Sequence, residues 1–206
     1  MTNLGKISKP KVSSYTEGSC LLVVNIIGNV PITDKDKKSK FEAKVAQYWN
    51  QVTSQIKGMS NKLGQISKIF YEYIGKDKKD GLNQVKKLDK NIYKIVKELT
   101  DDGAVIRGIE DENLLNELRD WQRCIMTGLS SFAVQEKVLE QLKQAAEKRD
   151  RFIKERLEEE MKECKTGLIF VSSSRQFALP DKIETFFIEP PALDDISGMI
   201  KDFYDK

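Results

Sequence analysis

Two hydrophobic patterns alternate along the chain. The stretch SCLLVVNIIGN carries a nearly unbroken apolar run from Leu21 to Ile27, closed by Gly28-Asn29 and Pro31. A short, β-branched run with no polar side predicts a central strand buried on both faces. After the charged turn DKDKKSK, apolar residues return at Phe41, Val45, Tyr48 or Trp49, Val52 and Ile56, with Gly58 and Gly64 near the end. Steps of three and four place them on one face of a helix. QISKIFYEYIG predicts a second strand and KDKKDG a solvated turn. Val85, Leu88, Ile92, Ile95, Val96 and Leu99 then mark a second amphipathic helix, stopping at Asp101-Asp102-Gly103. AVIRGIE is a third strand. Strands alternating with helices over short connections predict parallel, right-handed crossover units.

Beyond Asp111 the pattern changes. Leu114, Leu115, Leu118, Trp121 and Ile125 predict a helix interrupted at Gly128, and a long helical segment follows from about Ser131 to Lys165. Val138, Leu142, Ala145, Ala146, Ile153, Leu157, Met161 and Cys164 fall on roughly one face of it, while 18 of the residues 136–165 are charged. So narrow a stripe in so charged a helix needs one neighbour, either the preceding helix or a second copy of itself. TGLIFV returns to the sheet as a fourth strand, and DKIETFFIEP is a fifth, ended by Pro190-Pro191. The gap between them is too short for a helical crossover of about a dozen residues, which predicts antiparallel pairing or an edge position. Leu193, Ile196, Ile200 and Phe203 form a last helix, capped by Asp194 or Asp195.

The architecture expected is a single three-layer α/β domain with a largely parallel, four- to five-stranded sheet. Residues 1–17 are a loose leader, 18–110 and 166–206 the α/β domain, and 111–165 a long helical arm inserted in it.

Composition sharpens this picture in a few places. The length of 206 residues suits one domain, and the 33% of charged residues exceeds the usual share of about a quarter. The arm is where that excess lies. With 35 basic against 32 acidic residues the net charge is +3, near balance, which argues against a dedicated nucleic-acid binder. Only the lysines of the first fifth (Lys6, Lys9, Lys11, Lys35, Lys37, Lys38, Lys40) speak for RNA contact. Cys20, Cys124 and Cys164 are far apart and never in CxxC spacing, so neither a disulfide framework nor a zinc knuckle is indicated. A reducing, cytoplasmic setting is the natural expectation. The opening MTNLGKISKPKVSSYTEG has no apolar core of a signal peptide, and no apolar run approaches the ~18 residues of a membrane span.

Histidine is absent. That removes Ser-His-Asp and Cys-His nucleophilic catalysis, His-ligated zinc or iron, and histidine acid–base chemistry. Neither a cofactor nor a metal is expected.

In an open α/β sheet, ligands bind beyond the carboxyl ends of the strands. Those ends lie at residues 25–29, 73–76, 107–111 and 172–176, and they bring Asn25, Asn29, Glu110, Ser172, Ser173, Ser174 and Arg175 to one rim. Serine hydroxyls, successive N–H groups and an arginine can hold an anion. Against that, phosphate loops are glycine-rich and open into a helix, whereas this loop has no glycine and leads to Leu179-Pro180. A polar turn with a solvated Arg175 is the simpler reading. Glu110-Asp111-Glu112 has the carboxylates magnesium prefers, yet an Asp111 N-cap followed by an acidic first turn accounts for all three.

The succession GAVIRGIEDENLL, then RDRFIKERLEEEMKECKTGLIFVSSSRQFALPDKI, resembles a family of uncharacterised archaeal and bacterial α/β proteins of about this length. The family's pattern is GA-x-I-x-G-x-E before a helical region, then an RD-x-x-I helix, G-x-x-G-x-L-F-x-G-A-x-H and L-P-x-D-I. Gly103, Ala104, Ile106, Gly108, Glu110, Arg149, Asp150, Ile153, Gly167, Phe170, Leu179, Pro180 and Ile183 match it. Ser172-Ser173-Ser174-Arg175 stands where the family has glycine, alanine and histidine. The resemblance implies the α/β fold and prokaryotic relatives, supplies no activity, and implies that any function of that loop is altered here. The α/β domains of the release factor and Pelota group offer a fainter analogy of fold.

Three readings of function follow. The first is a non-catalytic binding or regulatory module, dimeric through Val138, Leu142, Ala145, Ile153, Leu157 and Met161 of the arm, with a small anionic ligand at the rim. The second is an enzyme acting on a phosphorylated or nucleotide substrate there. The third is a translation-associated factor that contacts RNA through its basic leader.

Overall fold

A computed structural model describes residues 18–172, 179–180 and 182–204, with the side chain of Tyr204 excepted. The expected leader, as well as Ser173, Ser174 and Arg175, therefore lies outside the described residues. The elements run β1 (Cys20–Ile26), α1 (Lys35–Leu63), β2 (Lys68–Tyr71), α2 (Lys78–Leu88), α3 (Lys90–Asp101), β3 (Val105–Ile106), α4 (Glu112–Met126), α5 (Phe132–Met161), β4 (Thr166–Ser172), β5 (Glu184–Ile188) and α6 (Ala192–Tyr204).

The strands form one five-stranded sheet in the order β3-β2-β4-β1-β5, and every pairing is parallel. Strand side chains alternate between faces, and the doubly apolar runs feed two cores. Cys20, Leu22, Val24, Ile69, Tyr71, Leu168 and Phe170 join Tyr48, Trp49, Val52, Ile92, Val96 and Ile196 on one side. Leu21, Val23, Phe70, Ile169 and Val171 join Ile153, Leu157, Met161 and Cys164 on the other. So α1, α2, α3 and α6 cover one face and the far half of α5 covers the opposite one. That is the three-layer α/β domain read from the pattern.

Several local expectations change, among them the last cap, since Asp194 and Asp195 lie inside the first turn of α6. DKDKKSK is no turn. Asp34 caps α1 by accepting hydrogen bonds from the Asp36 and Lys37 N–H groups, both at 2.9 Å, and the lysines occupy the first turns. KDKKDG is likewise drawn into structure, since α2 already begins at Lys78. The single helix expected over Val85–Leu99 is two, because the Asp89 carboxylate accepts from Asn91 N–H at 2.7 Å and Ile92 N–H at 3.0 Å and starts α3 afresh. A short acidic side chain that can reach its own backbone favours such a restart over helix continuation. Finally, β5 is an edge strand, but it pairs with β1 in parallel. The segment joining β4 to β5 is short, yet a fully extended chain covers about 3.3–3.6 Å per residue, which lets so short a link return along a seven-residue strand.

The arm splits between two tasks. The first half of α5 lies beside α4, with Lys148 Nζ 3.6 Å from Glu117 Oε1. Farther on, α5 runs down the sheet. Ala145, Ile153, Leu157 and Met161 are thus buried within the chain, as is Val138, and they are no longer available as the partner surface expected of them. The reason is one of layers: the second apolar face of a parallel sheet has to be covered, and α5 is the long helix that covers it. Within residues 111–165, the far half of α5 therefore belongs to the sandwich.

Candidate functional site

The sheet order makes a crevice. From β2 the chain leaves through α2 and α3 toward β3 at one edge. From β4 it leaves toward β5 at the other edge, with Leu179 and Ile183 on the opposite face. Where neighbouring strands send their chains apart, their carboxyl ends open a cleft. Glu72 and Tyr73 directly follow β2, and Ser172 ends β4. The Glu72 N–H donates to the Phe170 carbonyl at 2.9 Å, and the Ser172 N–H donates to Glu72 Oε2 at 2.7 Å.

Behind these residues sits a buried charge cluster. Glu72 is 1% exposed, Arg149 3% and Glu110 6%. Arg149 Nε donates to both Glu110 oxygens at 2.8 and 2.9 Å, its Nη2 donates to Glu110 Oε2, and its Nη1 reaches Glu72 Oε1 at 3.5 Å. Burial works against the guanidinium's charge, but the hydrogen bonds and charge of Glu110, with the charge of Glu72, hold its pKa above the usual value. Its carbon lies 5.4 Å from the centre of the Tyr73 ring, within cation–π range. Burial, followed by the Glu72 charge, raises the Tyr73 pKa, while the Arg149 charge pulls it the other way.

Tyr73 has φ 78°, a conformation that bulky residues rarely adopt. Such strain persists only where the surroundings over-determine it. Here they do. The Ile74 N–H bonds back to the Tyr71 carbonyl, and the Ile109 and Glu110 N–H groups both donate to the Ile74 carbonyl. The loops after β2 and β3 thus dock backbone to backbone. Gly108 permits this approach, because a Cβ there would stand 2.4 Å from the Gly75 carbonyl carbon and oxygen. Docking brings Glu110 beside Glu72, and both meet Arg149 descending on α5.

A cavity of about 550 Å³ opens over this floor, walled by Leu115, Leu118, Leu142 and Ala146 of the arm and by Glu72, Tyr73, Arg149 and Ser172 below. Its far wall includes Arg119, Gln122 and Asp150. Of the rim residues read from the sequence, Ser172 and Glu110 come together here. The Ser172 N–H goes to Glu72 and the Glu110 carboxylate to Arg149, so neither stands as an open anion cradle. Asn29 lines a different cavity of about 530 Å³ at the end of β1. Asn25 accepts the Tyr48 hydroxyl through its carbonyl at 2.7 Å. Asp111 caps α4, accepting from Asn113 N–H at 2.8 Å and Leu114 N–H at 3.0 Å, which is the capping alternative to magnesium. Among the described residues no three Cys, Asp or Glu side chains gather as a metal site, and no helix is long and apolar enough to cross a membrane.

Sequence reasoning passed over Glu72, Tyr73 and Arg149 as site residues. One signal was present. Positions 145, 149, 153, 157 and 161 form an unbroken i+4 series on the buried face of α5, and Arg149 is its only charged member. Glu72 similarly interrupts the apolar FYEYIG run. No protein-family model, curated protein or solved structure matches the chain.

Proposed function

We propose that the chain is a non-catalytic binding module whose ligand enters the cleft between the sheet's carboxyl rim and the helical arm. The observation that carries this reading is the Glu72–Arg149–Glu110 cluster at the floor of an open cavity, at the one place where neighbouring strands part. A strained tyrosine beside it adds weight. Binding is favoured over catalysis because the carboxylates are fixed by a guanidinium and a backbone N–H, which leaves them as walls rather than proton carriers.

A thermal-shift panel of nucleotides, sugar phosphates, amino acids and organic acids tests the reading. A compound at a hundred times its Kd adds about 2.7 kcal/mol, or ~5–11 °C for a chain of this size. Ala146→Trp, which plugs the cleft, should remove the shift without lowering the Tm of the free protein. A shift that survives the plug places the ligand elsewhere.

The free end of the arm favours self-association as a second property. Met126 is 85% exposed and Phe132 72%, with Val134 and Leu139 exposed beside them. The charges around them have both signs (Arg123, Glu136, Lys137, Glu140), so two copies meet there without like-charge repulsion. Phe132→Asp should turn a dimer into a monomer in light scattering, and a monomeric parent protein ends the idea.

A further inference from the structure

Tyr73 is a partition as well as a floor. It lines the cavity over Arg149 and also a second one of about 480 Å³, which shares Leu115 and Arg119 with the first and extends to Gln84, Lys87, Glu112 and Asn116. The two hollows are therefore one elongated cleft with a phenol ring at its middle. Three features of the second hollow go beyond anything the charge cluster explains. Lys87 and Arg119 are exposed cations with no ion-pair partner among the described residues, in a chain where many surface charges are paired. Gln84 Oε1 is buried without a hydrogen-bond donor, an arrangement that folded proteins avoid because the acceptor has lost its water. Glu112 and Asn116 add acceptors on the arm side.

We propose that this double cleft binds a nucleoside monophosphate. Each part of that molecule has a counterpart here. The phosphate takes the unpaired charges of Lys87 and Arg119, the arginine in its bidentate mode. The base lies against the Tyr73 ring, since every base offers a π-face and stacking on an aromatic side chain holds it. An exocyclic amino group supplies the donor that Gln84 Oε1 lacks, and the ribose hydroxyls face Glu112 and Asn116. A bare phosphate satisfies only the cations, and an apolar molecule only the leucines. The positive φ of Tyr73 has a use in this reading, since it falls on a residue that both hollows share.

This inference rests on the cleft being a ligand site. Isothermal titration of the full chain with AMP, GMP, CMP and UMP tests it, with adenosine and inorganic phosphate as the separated halves. At least one nucleotide should bind below millimolar, and each half should bind at least tenfold more weakly. Lys87→Ala with Arg119→Ala should weaken the nucleotide tenfold or more at unchanged Tm, as both side chains are exposed and unpaired. Gln84→Leu should weaken AMP or CMP more than UMP. Binding unchanged in the Lys87/Arg119 variant, or no binding of any of the four at 1 mM, overturns the inference. If in that case another compound still gives a shift that Ala146→Trp removes, the cleft reading stands and only the ligand class falls. If nothing binds at the cleft, both fall.

Discussion

Replacing Arg149 with methionine probes the cluster most directly. Methionine keeps the length and apolar stem of the side chain on α5 but leaves Glu110 and Glu72, 6% and 1% exposed, without their cation. Two opposing quantities set the outcome. Keeping an ion pair buried gains little net stability, because desolvating three charged groups offsets most of their attraction. Removing one partner is different, since the remaining charges stay desolvated, and breaking such a pair costs about 3–5 kcal/mol. At ~2–4 °C per kcal/mol for a chain of this size, the Tm should fall by ~6–20 °C. Circular dichroism during thermal and urea unfolding measures it. Burial also predicts that the loss is the same in 1 M salt, where screening acts within about 3 Å; an exposed pair such as Lys57–Glu98, at 2.7 Å, has no such protection. Adding Glu110→Gln to the Arg149 variant should restore part of the loss, because the orphaned charge disappears. A Tm drop corresponding to less than about 1 kcal/mol, the ordinary effect of a mutation, would refute the claim that the three side chains form one buried unit.

Further outcomes follow from the same structure. Gly108→Ala should destabilise by about 1–3 kcal/mol, as its Cβ meets Gly75 backbone at 2.4 Å, whereas Gly28→Ala, with nothing within 4 Å, should stay within about 0.5 kcal/mol; equal urea midpoints for the two would sink the loop-docking account. Burial, then the charges of Glu189 and Asp89 respectively, raise the pKa values of Tyr48 and Tyr71. Their contribution is therefore fully present below the unfolded pKa of about 10 and lost above it, at about 1.4 kcal/mol per pH unit for each. Urea midpoints taken above pH 10 should fall less steeply for Tyr48→Phe than for the parent, and identical slopes would contradict this. Burial likewise raises the pKa of Cys164, although its hydrogen bond with the Ser67 hydroxyl pulls the other way, and Cys20 is buried too. A thiol reagent should thus label the half-buried Cys124 first and the other two only as the chain unfolds.

The apolar patterns by themselves determined the class of fold. Leu21–Val24 and Leu168–Val171 are apolar at every position, and only a strand with helices on both sides buries such a run. Local signals also marked element ends, although Asp34 and Asp89 show the limit: an aspartate reads equally as a turn residue and as a cap until its N–H partners are fixed. Which strands are neighbours lay beyond the pattern. The order β3-β2-β4-β1-β5 puts β4, more than 90 residues farther along the chain, beside β2. Glu72 and Ser172 meet only through that pairing. The narrow stripe on α5 was legible as an apolar face, but periodicity cannot say whether a sheet, α4 or another chain covers it. The need to cover the sheet's second face decided in favour of the sheet, and the same packing carried Arg149 down to Glu110. A site assembled from residues 72, 110, 149 and 172 is non-local by construction. Sequence spacing reports local geometry, and only the closing of the layers sets the distances between such residues.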